Sequence, residues 1–103
     1  MYARVITFSG ADAGKRDAAL EMIRGTVIPM LRSYDGYEGY ISLYDEDQSR
    51  AKALILWESK DAAESAEETL AERRKGMVAQ VGLTLESVDL YEAPVVELEG
   101  AKV

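Results

Sequence analysis

No histidine and no cysteine occur among the 103 residues. That removes the usual general base near neutral pH, the Ser-His-Asp arrangement, the thiolate nucleophile and the imidazole or thiolate ligands of haem and transition metals. Chemistry would have to run on carboxylates, tyrosines, lysines, arginines or the substrate's own electrons. No pair of carboxylates stands out as an acid–base couple. The acidic stretch Asp45-Glu46-Asp47 lacks the glycine and distal glutamate of a calcium loop, so it reads as a solvated turn. No metal and no cofactor is expected.

The residues left to consider surround the single tryptophan, Trp57. The ring ends the stretch Ala53-Leu54-Ile55-Leu56-Trp57-Glu58-Ser59, in which Ala53, Ile55 and Trp57 share one strand face and Leu54 and Leu56 the other. Ser59 then caps a helix. Trp57 reads either as a pocket wall or as a core plug. Ala53, Ala63 and Ala66 beside it either leave a cavity or let a helix sit close to the sheet; close packing is preferred, because interiors leave few voids. Arg74 reads either as an anchor for an anion or phenolate or as a surface residue paired to a glutamate. The surface reading is preferred, because Arg74 lies in a charged run. Tyr34, Tyr37, Tyr40, Tyr44 and Tyr91 offer phenolic donors to a planar ligand, or else pack across strands with wet hydroxyls.

The elements that must hold these residues follow from periodicity. Residues Tyr2 to Ser9 alternate as a strand. After a turn at Gly10 to Gly14, with Asp12 placed to cap, Lys15 to about Ser33 carries a helical stripe through Ala19, Ile23, Val27 and Met30 or Leu31. Pro29 removes one ladder bond, which predicts a kink or break nearby. Gly36 provides a left-handed stop. A strand over Tyr40 to Tyr44, a hairpin loop over Asp45 to Arg50 and the Trp57 strand come next. A helix from Ser59 to about Gln80 follows, striped by Ala63, Ala66, Leu70, Met77 and Val81, with Arg73 or Arg74 near the same side, interrupted at Gly76 and ended at Gly82. Glu86 to Pro94 is the last strand, and Val95 to Val103 is a tail that pairs along a sheet edge or reaches a partner chain.

The order is strand, helix, strand, strand, helix, strand. Right-handed crossovers then give an α+β, ferredoxin-like protomer: a four-stranded antiparallel sheet with both helices on one face. The face holding Leu54 and Leu56 is left bare, and a second copy packed sheet against sheet is the simplest cover, so a homodimer is expected. One domain spans residues 1–103. A net charge of −7 disfavours nucleic acid. No apolar run is long enough for a membrane span, and with no signal peptide a cytoplasmic setting is expected.

Three features, Pro29 late in the first helix, Asp35-Gly36-Tyr37-Glu38-Gly39-Tyr40 and Leu56-Trp57-Glu58-Ser59, give the chain a resemblance to the antibiotic-biosynthesis-monooxygenase-like members of the dimeric α+β barrel superfamily. The resemblance covers nearly the whole chain and implies a dimeric barrel. Cofactor-independent oxygenases of that family bind flat polyketide phenols between sheet and helices, with the junction Trp lining the site. Trp57 matches that residue. The family's Asn falls at Ala53, its Tyr at Ala63, and its late-helix Arg reaches Arg74 or Arg73 only with a small deletion. A haem-degrading branch shares the Trp-Glu-Ser junction, but needs a Trp where this chain has Ala66 and a His where it has Gly76, so haem ligation is rejected.

These readings converge on a small-molecule-binding dimer in which Trp57, Arg74, Ala53, Ala63 and Tyr40 border a flat, largely apolar ligand. If it is an enzyme, the phenolate of the substrate supplies electrons to O₂, while the protein gives shape, a dry site and the Arg74 charge. The competing reading is a non-catalytic binding or interaction dimer with a filled interior.

Overall fold

The computed structural model describes residues 1–100. The elements run β1 (Tyr2–Ser9), α1 (Ala13–Met22), a π turn (Ile23–Val27), α2 (Ile28–Leu31), β2 (Tyr37–Asp45), β3 (Arg50–Trp57), α3 (Lys60–Gln80) and β4 (Thr84–Glu92). The sheet order is β2-β3-β1-β4, with every neighbouring pair antiparallel. This is the ferredoxin-like α+β arrangement expected from the element order.

The period of two sorts the sheet residues. Ile6, Ala53, Ile55 and Trp57 join Leu31, Ala63, Ala66 and Leu70 in one buried cluster, so both helical layers cover the same face. On the other face Val5 pairs with Leu54, and Leu54 with Ile41. None of the described helices packs there, and Leu43 and Tyr91 stand 46% and 58% exposed.

Local chemistry explains the boundaries. The Asp12 side chain accepts from the Lys15 N–H, so α1 begins at Ala13, earlier than the apolar stripe suggests. The interruption expected near Pro29 takes the form of a π turn, in which the Ile28 N–H reaches back to the Ile23 carbonyl. Pro29 then sits in the first turn of α2, where its missing N–H costs nothing. Gly36 has φ +83°, and a Cβ there would lie 2.6 Å from that of Ala62. Its carbonyl accepts from the Glu58 N–H at 2.9 Å, tying this turn to the end of β3. Ser59 caps α3 through the Ala62 N–H.

Gly76 does not interrupt α3, which is continuous over Lys60–Gln80. A lone glycine lowers helix propensity by about 1 kcal/mol, too little to outweigh the packed stripe on either side. Gly82, with φ +72°, turns the chain out of the helix. β2 and β3 begin earlier than expected, at Tyr37 and Arg50, because ladder pairing continues past the apolar alternation. Likewise β4 covers Thr84–Glu92 rather than 86–94.

The described part of the tail forms no strand, contrary to edge pairing, and Val95 and Leu98 are 81% and 59% exposed. Residues 101–103, the last of the expected tail, lie outside the described residues. No described helix is long and apolar enough to cross a membrane.

Candidate functional site

A hollow between sheet and helices follows from side-chain size along β3. Ala53 pairs with Ser42 on β2 and Ile6 on β1, while Ala51 pairs with Tyr44 and Phe8. Short side chains in mid-sheet, flanked by Tyr40 and Tyr44, leave a gap that the helices above do not fill. The result is a cavity of about 100 Å³. Its floor is Ile6, Phe8, Tyr40, Ala53 and Ile55; its roof includes Met22, Met30 and Met77, whose unbranched chains can adjust to an occupant. Phe8, Ala19, Ile23, Tyr40, Ala53 and Leu83 also border a larger groove of about 570 Å³ that wraps the β2 edge. The two spaces adjoin along these residues, a small chamber beside a larger vestibule.

Arg74 is the one charged residue on the chamber wall. It is buried, 7% exposed, which overturns the surface half of the preferred reading, while the expected pairing to a glutamate holds. The reason is helical phase: Ala63, Ala66, Leu70 and Arg74 are the buried residues of α3, so Arg74 occupies a core position of the stripe. Its charge is compensated by Glu67, two turns earlier, through two parallel hydrogen bonds of 2.7 and 2.8 Å. Arg4 Nε lies 3.8 Å from the same carboxylate. Burial alone would raise the Glu67 pKa. The hydrogen bond from Arg74 and the charges of Arg74 and Arg4 outweigh it and hold the carboxyl below its usual range. Arg74 borders the chamber and Glu67 does not, and both terminal nitrogens of Arg74 are given to the Glu67 carboxylate.

Tyr40 presents the other polar group. Burial, and secondarily the neighbouring Tyr37, push its hydroxyl up to about 12, so it stays a neutral phenol.

Trp57 and Ala63 are absent from the chamber wall. Both are 1% exposed. The indole is held by the edges of Tyr34 and Tyr37, with ring centroids 6.3 and 6.0 Å away and interplanar angles of 80° and 74°. Ala63 and Ala66 join the same buried cluster. Of the five expected site residues the chamber brings together Tyr40, Ala53 and Arg74, while Trp57 and Ala63 fill the core at the opposite end of β3. The indole lies in the buried cluster, against two aromatic rings, and does not border this chamber.

One participant escaped the sequence reading. Glu67 was detectable as a carboxylate two helical turns before an arginine on an apolar stripe. Tyr44, already named as a phenolic donor, lies on the same strand face as Tyr40, across from Ala51. Among the described residues no group of three carboxylates is placed to hold a metal.

No family model matches the chain, and no curated protein matches it in sequence. Solved structures do match. A Deinococcus radiodurans protein proposed to be an antibiotic biosynthesis monooxygenase superposes with a TM-score of 0.68 at 20% identity, covering 97% of this chain and 100% of its own. A Streptomyces coelicolor monooxygenase from the gene ActVA-Orf6, solved with nanaomycin D, gives 0.68 at 17% identity, covering 97% and 92%. SnoaB, a cofactor-independent oxygenase of Streptomyces nogalater, gives 0.64 at 14% identity, covering 95% and 97%. The fold is that of the antibiotic biosynthesis monooxygenases. At these identities the likeness extends to the backbone architecture, and the chemistry must be argued from this chain's own side chains.

Proposed function

We propose that the chain binds a small, flat, largely apolar aromatic molecule in the chamber and oxidises it with O₂ without metal or flavin. The observation that carries this is a buried arginine, Arg74, on the wall of an otherwise apolar hollow. In the balanced reaction, a phenol plus O₂ gives a quinone plus water: one oxygen atom becomes the new carbonyl and the other leaves as water. The substrate supplies all the electrons. The Arg74 charge stabilises negative charge as it develops on the ring oxygen, and the dry walls strengthen that interaction. Tyr40, neutral through the physiological range, donates a hydrogen bond. SnoaB, described as a cofactor-independent oxygenase, supports the proposal by analogy.

Size limits the substrate. An apolar cavity of ~150 Å³ accepts benzene, so the chamber at about 100 Å³ suits a single ring with some methionine movement. The same figure favours the second reading, a binding dimer without turnover. We also propose that two chains associate through the face of Val5, Ile41 and Leu54, in a cytoplasmic setting. Leu54→Glu should then convert a dimer to a monomer in sedimentation.

The deciding experiment is ligand-observed NMR with a panel of mono- and bicyclic phenols, followed by O₂ uptake with each binder. Binding with O₂ uptake that is lost in Arg74→Met supports the enzyme. Binding without uptake supports a binding dimer without turnover, and absence of binding leaves the interaction dimer with a filled interior.

A further inference from the structure

The vestibule has a charge pattern opposite to that of the chain. The protein carries 19 acidic and 12 basic residues, yet the groove is bordered by Lys15, Arg16, Arg24 and Lys52 and by no carboxylate. Two of these cations are engaged: Lys15 Nζ donates to the Gly82 carbonyl at 2.8 Å, and Lys52 Nζ donates to Thr7 Oγ1 at 2.7 Å on the far sheet face. Arg24 shares its outer surface with Asp17 and Glu21. Arg16 differs. Its guanidinium carbon lies 4.8 Å from the centre of the Tyr44 ring, and it makes no ion pair among the described residues.

Beneath it, the Tyr44 hydroxyl is shut off from solvent and has no hydrogen-bond partner. A buried unpaired donor is costly and rare, so it marks a place where a partner belongs. Tyr44 and Tyr40 lie on one face of β2 with Ser42 between them, and Tyr40 borders both vestibule and chamber. A ligand running from one to the other would pass over Ala53.

We propose that Arg16 and the Tyr44 hydroxyl form a headgroup site for a carboxylate carried by the aromatic ligand, whose ring enters the chamber past Tyr40 and Ala53. This rests on the chamber being a small-molecule site, as proposed above. It fixes orientation: the inner Arg74 already has Glu67, so the anionic end has more to gain at Arg16, where no carboxylate competes. The substrate class narrows to an aromatic acid with a short spacer.

The test uses 3-phenylpropionate and its neutral counterpart 3-phenylpropan-1-ol, titrated calorimetrically into the wild-type protein, Arg16→Gln and Tyr44→Phe, at low and high salt. Arg16 is exposed, so its replacement should leave folding intact. The acid should bind roughly tenfold more tightly than the alcohol and weaken with salt. Each variant should lose most of that preference while holding the alcohol unchanged. Equal binding of acid and alcohol to the wild type, or equal weakening of both by the variants, overturns the headgroup site while leaving the chamber reading standing. If neither probe binds the wild type, the chamber reading fails and the headgroup site with it.

Discussion

Around Trp57, Ala63 and Ala66 let α3 press against an indole already flanked by two tyrosine edges. Around Ala53, an alanine of the same size faces an opening. Both regions belong to one helix–sheet interface, and both are built from small residues beside aromatic ones. What separates them is the layer above. α3 is continuous and its alanines bring it down onto the Trp57 end. Over Ala53 the roof is the π turn and its flanking helices, together with Met77 and a buried arginine that must stay near its carboxylate. A small residue makes a hole only where its opposite neighbours are held away by something else.

The largest test of this contrast is at the filled end. Trp57→Ala should destabilise the chain by about 3–5 kcal/mol, read from urea unfolding, because the surrounding rings cannot collapse into the space. A loss below about 1 kcal/mol would mean the indole is not packed as described.

One substitution applied at both ends sharpens the comparison. Ala63→Leu should cost about 1–3 kcal/mol through overpacking. Ala53→Leu should shift stability by less than about 1.5 kcal/mol in either direction, because the chamber accepts the added methyl groups, and should abolish ligand binding. Equal penalties would erase the distinction between the two regions.

Tyr40 gives the hollow end a signature at high pH. Its pKa is raised from the ordinary 10.0 to about 12 in the folded protein. The stability linked to keeping it a phenol is therefore whole below pH 10 and fades as pH rises toward 12. In an ultraviolet titration Tyr40→Phe should remove the latest-ionising phenol and lessen the alkaline loss of stability.

The last test concerns the pH profile set by Glu67, whose loss at neutral pH would leave the buried Arg74 without its carboxylate. The Glu67 pKa is lowered from 4.5, so its contribution is present above that value and disappears as pH falls through the lower folded value. Glu67→Gln should flatten the acid side of the stability profile as pH falls below 4.5. Because the carboxylate is partly solvated, the change should be modest.

The resemblance drawn from Leu56-Trp57-Glu58-Ser59 led correctly to the fold and misleadingly to the pocket. The motif marks where β3 passes into α3, a junction tied down by Gly36 and Ser59. Those local constraints are written in adjacent residues, so they were legible. Whether the ring at that junction touches space depends on Tyr34 and Tyr37, which arrive from another part of the chain. Arg74 shows the reverse. Its charged neighbours Arg73 and Lys75 suggested a wet surface, but helical phase turned it inward, and Glu67 made that burial tolerable.

The sequence by itself determined the element order, the caps at Asp12 and Ser59, the disturbance near Pro29 and the two faces of each strand, because these depend on periodicity and on backbone chemistry within a few residues. Only the tertiary structure decided which alanine opens a chamber, which arginine is buried and which tyrosine hydroxyl lacks a partner. Those outcomes depend on how far apart two independently formed layers come to rest. That separation is set by the bulkiest contacts between them, at residues distant along the chain.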